Sequence, residues 1–81
     1  MILSAAYVVL SLSVHDCDTG KLLYQNEIPM PEFSISGDRM EDCRQQGVTR
    51  GRLLAYQFRK RYPNASANVN CRWERSGGAP A

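Results

Sequence analysis

From Tyr7 to His15 apolar and polar residues alternate. Val8, Leu10, Leu12 and Val14 fall on one face; Val9, Ser11, Ser13 and His15 fall on the other. A period of two predicts a half-buried strand. Asp16-Cys17-Asp18-Thr19-Gly20 is dense in turn formers, and Gly20 is free to take φ > 0. Lys21–Ile28 resumes the strand pattern with Leu22, Tyr24 and Ile28 inward, so the first two strands predict a hairpin. Pro29 and Pro31 cannot donate to a ladder and mark a break or an edge. Beyond them Glu32–Ser36 gives a short alternation with Phe33 and Ile35 inward.

The period then changes. Met40, Cys43, Gly47, Gly51, Leu54, Phe58 and Tyr62 recur at steps of three and four, which predicts one long helix over Asp38–Tyr62 with a continuous buried stripe. Asp38 is a good N-cap, and Glu41 three residues on completes a capping-box pattern. Glu41 and Asp42 in the first turn, with Arg59, Lys60 and Arg61 in the last, suit the helix dipole. Pro63 stops the helix. In Ala65–Glu74 the residues Ala65, Ala67, Val69, Cys71 and Trp73 alternate with polar ones, a third strand. Residues 76–81, rich in Gly, Pro and Ala, predict a disordered tail after a single domain at 1–75. The order is therefore ββαβ. A right-handed crossover makes the second and third strands parallel. The first strand then lies between them, giving an α+β fold with sheet order 2-1-3 and the helix on one face.

Eighty-one residues make one domain near the lower limit of what folds unaided. The net charge of +2 hides an asymmetry. Residues 1–38 carry Lys21 against five carboxylates, whereas residues 39–81 carry nine Lys and Arg against three. The helix and last strand are the basic half, which would draw an anionic partner, or which forms a solvated helix surface. Three cysteines allow one intramolecular bridge. Cys43 on the helix stripe and Cys71 on the apolar face of the last strand meet at one interface. They are candidates for a disulfide, or for two reduced apolar fillers. Cys17 would be left free. Gly47 and Gly51 each cost roughly 1 kcal/mol against Ala in a helix. Their place on the stripe predicts close approach of helix and sheet, with a kink at Gly47 as the competing reading.

Candidate chemistry is sparse. Asp18-Thr19-Gly20 spells the aspartic-protease triplet, but its polar surroundings and the short chain point to a hairpin turn. Asp16-x-Asp18-x-Gly20 starts like a calcium loop and lacks the later ligands. His15 and Cys17 have no second ligand pair at metal spacing, and no nucleophile–base system can be assembled. No catalytic residue, metal or cofactor is expected. The stronger signal lies on the helix face opposite the stripe. Thr49, Leu53, Tyr56 and Lys60 stand there, flanked by Arg52 and Arg59. An exposed Leu and Tyr among basic residues has the composition of a protein-contact hot spot. It would also suit nucleic acid, with Tyr56 stacking and the arginines on phosphates. The partner-binding candidates are thus Arg52, Leu53, Tyr56, Arg59 and Lys60. The longest apolar run, Ala5–Leu10, is far short of the roughly 20 residues of a membrane span. The N-terminal stretch lacks the positive n-region and cleavage site of a signal peptide. A cytoplasmic protein is expected, monomeric or weakly dimeric, with a periplasmic or secreted one as the alternative.

The residues Met40-Glu41-Asp42-Cys43, Arg61-Tyr62-Pro63-Asn64-Ala65 and Val69-Asn70-Cys71-Arg72-Trp73 resemble a pattern of small bacterial and phage-borne proteins. In these a helix cysteine and a last-strand cysteine are separated by a Pro-containing turn. The size and ββαβ layout are similar to those of several anti-CRISPR proteins, inhibitors that occupy a surface of a CRISPR effector complex. The resemblance implies a non-catalytic phage or mobile-element inhibitor whose partner is a nucleic-acid-processing complex of the host. It carries over no functional residue. Many such inhibitors are acidic mimics of DNA, and the basic helix departs from that pattern. Two other readings stand beside it: an exported, disulfide-stapled envelope domain, and a direct nucleic-acid binder acting through the basic helix.

Overall fold

The inward face of the first strand supplies most of the core. The computed structural model describes residues 6–31 and 36–75. In it strand β1 (Ala6–Asp16) fully buries Val8, Leu10 and Val14 and nearly buries Leu12. Strand β2 (Leu22–Pro29) and strand β3 (Ala65–Arg75) pair with β1 on either side, both antiparallel to it, in the order β2-β1-β3. Helix α1 (Arg39–Arg59) connects β2 to β3. The ββαβ order and 2-1-3 sheet expected from the sequence are those observed. The alternation at Phe33 and Ile35 and the tail at 76–81 lie outside the described residues.

The glycines and the cysteines together decide where α1 sits. Gly47 and Gly51 are buried, and α1 runs as one helix through both. A Cβ on Gly47 would collide with Val69 Cγ1 and stand 2.9 Å from Leu10 Cδ1; one on Gly51 would be 3.1 Å from Val69 Cγ2. The missing side chains thus let the helix backbone rest directly on β3 and β1. Cys43, fully buried on the same stripe, forms a disulfide with Cys71 of β3, with Cα atoms 6.1 Å apart. Closing a loop of 28 residues contributes roughly 3 to 4 kcal/mol in the chain-entropy account, a large share of a small domain's stability. The backbone of α1 approaches β1 and β3, and within the described residues it does not approach β2. The helix therefore lies off the centre of the sheet, toward the β3 edge. Across the gap to β2, Tyr24 meets Phe58 with ring centroids 6.0 Å apart.

Four local expectations are corrected. Leu22 does not face inward: Val14 pairs with Tyr24 but His15 pairs with Leu22, so Leu23 is an extra residue. A bulge of this kind reverses the alternation and leaves Leu22 exposed. Second, the capping box forms only in half. Asp38 Oδ1 accepts from the Met40 and Glu41 backbone N–H groups, while Glu41 accepts from Arg44 and Gln45 on its own helix. Ser36 Oγ accepts from the Asp38 N–H, the bond the box would have given to Glu41. Third, α1 ends at Arg59 rather than Tyr62. Lys60 and Arg61 form a turn, and the Arg61 and Tyr62 N–H groups both donate to Phe58 O. Fourth, Val9 is buried although it lies on the face away from the helix. Its pairing neighbours are Pro29 and Arg72.

Arg72 organises that second face. Its Nη2 donates to Glu27 on β2 at 3.0 Å and its Nε to Glu74 on β3 at 2.7 Å, so one guanidinium crosses all three strands. The hydrogen bond from Arg72, reinforced by its charge, holds the Glu27 carboxyl below its ordinary value, and the same bond raises Arg72.

Gly47→Ala is expected to destabilise by about 1 to 3 kcal/mol, since Val69 is stiff at χ1 and Leu10 is fully buried. Gly51→Ala has only Val69 to displace by a few tenths of an ångström, and should fall near neutral because Ala gains up to about 1 kcal/mol of helix propensity. Urea unfolding of both variants separates the two cases. For Glu27, a folded pKa below the usual ~4.3 means a contribution present above that range and lost as pH falls through the lower folded value. Thermal melts from pH 6 down to pH 2 should therefore show a shallower acid decline in Glu27→Gln than in the parent.

Candidate functional site

The solvent face of α1 is built by the same spacing that buries its stripe. With Gly47, Gly51 and Ala55 against the sheet, residues half a turn away must point to solvent. Leu53 is 57% exposed and Tyr56 66% exposed. Lys60 Nζ stands 5.0 Å from the centroid of the Tyr56 ring, a cation–π contact that fixes the phenol's orientation on the helix. Arg52 is exposed on the neighbouring turn, and the Thr49 hydroxyl folds back to donate to Gln45 O at 3.1 Å. All five residues expected from the sequence are exposed: Arg52, Leu53, Tyr56, Arg59 and Lys60. Arg59 differs in being committed as well: its Nε donates to Ala65 O at 3.0 Å and ties the helix end to the start of β3.

The structure adds apolar surface that the periodicity did not flag. Val48 is 48% exposed, on the side of α1 that overlooks the free edge of β3. Val69 and Trp73, inward-facing by alternation, remain 38% and 50% exposed. The off-centre helix explains Val69. Trp73 lies near the end of β3, where the Arg39 guanidinium stacks over it at 5.3 Å and leaves its Nε and Nη2 buried without a hydrogen-bond partner. A run of exposed Val, Tyr and Trp beside an edge strand has no one-dimensional signature.

The other motifs resolve into structure. Asp16 Oδ1 accepts from the Asp18 N–H and Oδ2 from the Thr19 hydroxyl, while Gly20 takes φ 74° and its N–H donates to Asp16 O. Both Asp18 oxygens accept from the Asn64 amide at 2.9 and 3.0 Å, and the Cys17 N–H donates to Asn64 O. Asp18-Thr19-Gly20 is thus a hairpin turn pinned to the turn before β3. Cys17 is an exposed free thiol. His15 Nδ1 shares a hydrogen bond with the Asn68 amide at 3.3 Å on the face away from the helix.

A scan against protein-family models finds no match, and searches of curated proteins and of solved structures find none either.

Two arginines one side of a helix apart should then behave differently. Arg59→Ala loses a charge-assisted bond to a partly buried carbonyl and is expected to cost about 1 to 2 kcal/mol. Arg52→Ala, free at the surface, should stay within about 0.5 kcal/mol of the parent. Equal effects in chemical denaturation would contradict the assignment of Arg59 to the helix–strand junction.

Proposed function

We propose that this chain is a non-catalytic binding protein that docks on a macromolecular partner through the solvent face of α1. The observation that carries the reading is Tyr56: an aromatic ring two-thirds exposed on a rigid helix, held in place by Lys60 and flanked by Leu53 and Arg52. A preoriented aromatic beside cationic groups loses little conformational entropy on binding, and Tyr and Arg are the residue types that anchor interfaces. The basic character of the helix half and last strand favours an acidic or mixed surface on the partner. In its finer form the partner is a nucleic-acid-processing complex of the host and the protein its inhibitor, of the anti-CRISPR kind that the sequence pattern resembles.

One observation favours a second reading. The Cys43–Cys71 disulfide persists most readily in an oxidising compartment, as an exported envelope domain would require. In that reading the protein is a structural domain of the envelope, stapled by its disulfide.

The test is affinity capture from a host lysate, followed by titration of the captured partner. A Tyr56→Ala/Arg52→Glu double variant, with an unchanged melting temperature, is expected to bind at least roughly thirtyfold more weakly, as loss of a hot-spot tyrosine costs about 2 kcal/mol or more. Retained affinity would sink the helix-face reading. If the captured partner is nucleic acid itself, affinity should fall steeply with salt.

A further inference from the structure

We infer that the free edge of β3 pairs with β3 of a second copy, giving a two-fold dimer with a continuous six-stranded sheet and two antiparallel helices on one face. This inference does not require the proposed partner, although Tyr56 borders both surfaces.

The two edges of the sheet are unlike. β2 is short and ends in Pro29, with Pro31 following, and carries Glu27 and a flanking Lys21. Proline and charge are the usual devices that keep an edge from pairing. β3 is eleven residues long and, among the described residues, pairs only with β1. From Ala65 to Cys71 it contains no charge and no proline. The first charge along it, Arg72, is already committed to Glu27 and Glu74. Among the described residues the edge is therefore long, neutral and unguarded.

The position of α1 suits a second copy. Strands lie about 4.8 Å apart, and α1 lies over β1 and β3 rather than β2. A two-fold axis one half-spacing beyond β3 would set the two helices about 10 Å apart, the ordinary distance of packed helices. The surface that would be covered is more apolar than polar. A shallow groove of about 500 Å³ runs between α1 and the β3 edge, its apolar part formed by Val48, Ala55, Tyr56, Ala67 and Val69 and its polar part by Arg52, Arg59 and Ser66. With the axis beside Val69, where Gly47 rests on the sheet, Trp73 of one copy lies opposite Ala65 of the other, large against small. In two copies the exposed parts of Val48, Tyr56, Val69 and Trp73 amount to roughly 600 to 800 Å², taking 150–250 Å² for a whole aromatic. The strand backbone would bring the total near the ~1,000 Å² of a specific interface.

Charge identifies the occupant as this chain. The first turn of α1 and its cap carry Asp38, Glu41 and Asp42 against Arg39, and its second half carries Arg52 and Arg59 with Lys60 and Arg61 just beyond. An antiparallel pair sets the acidic end of each helix beside the basic end of its neighbour, and opposes the two helix dipoles. A parallel arrangement or a basic partner would lose both terms.

The experiment uses the full chain with Cys17→Ser, which removes an exposed thiol able to cross-link copies by itself. Sedimentation equilibrium is expected to give twice the 9.1 kDa chain mass, and isotope-filtered NMR to show contacts between β3 amides of two copies. Asn68→Lys/Asn70→Lys places like charges across the axis on the open face of the sheet. Val48→Glu places them between the helices. Each variant is expected to sediment as a monomer with the parent's circular dichroism and an intact disulfide. If one of them unfolds, the other carries the comparison. A parent that stays monomeric at NMR concentrations overturns the inference. So does a dimer that survives both variants, or a β3 edge that pairs only with a foreign strand. None of these variants alters Arg52, Leu53 or Tyr56, so a failure here is distinguishable from a failure of the helix-face reading.

Discussion

The constraint on which this structure depends is the contact of a bare stretch of helix backbone with one valine. Gly47 and Gly51 leave no side chains between α1 and Val69, and Leu10 closes the contact from the central strand. Glycine in a helix interior is unfavourable by itself, so the arrangement is stable only while something holds the helix down. The Cys43–Cys71 bond does so one turn away, between the same two elements. The glycines permit the approach and the disulfide enforces it. Both act on β3, and so the helix is drawn to that side of the sheet.

The consequence is an unequal division of labour between the edge strands. β3 is fastened by the helix, the disulfide and the Arg59–Ala65 bond. Among the described residues β2 has no helix backbone above it. Its attachments are the ladder to β1, the Met30 N–H to Val8 O bond, the Tyr24–Phe58 contact and the reach of Arg72 to Glu27. Arg72 thereby does on the open face a part of what the helix does on the covered one: it joins β2 to β3 across the central strand. Exposed ion pairs are weak on average; this one gains from geometry, since one guanidinium serves two carboxylates from different strands.

Much of this was legible in the chain because periodicity is a property of neighbours in sequence. The alternation of Val8, Leu10, Leu12 and Val14, the three-and-four spacing through Cys43, Gly47 and Gly51, and the facing of Cys43 and Cys71 all survive into the structure. What did not survive depended on competition between partners. Glu41 had the right spacing for a capping box, but Arg44 lies one turn along the same helix and offers it a charged donor. Leu22 had the right parity until the extra residue Leu23 shifted it. On the candidate site, the exposure of Leu53 and Tyr56 follows from the helix stripe alone. The commitment of Arg59 needs the position of Ala65, which only the return of β3 supplies.

The placement of the helix also settles which of its surfaces are free. Had α1 lain over the middle strand, side chains on both flanks would have met β2 and β3, leaving only the crest exposed. Drawn toward β3, it keeps its crest, with Leu53 and Tyr56, and overhangs an open edge with Val48 and the groove above Ala67 and Val69. These surfaces differ in kind. The crest sets an aromatic ring among cationic side chains, exposed to solvent on every side but the helix. The flank continues an unpaired strand and suits something that also brings a strand. A single packing choice, made by two glycines and a pair of cysteines, therefore produces both the closed side of the molecule and its two open ones.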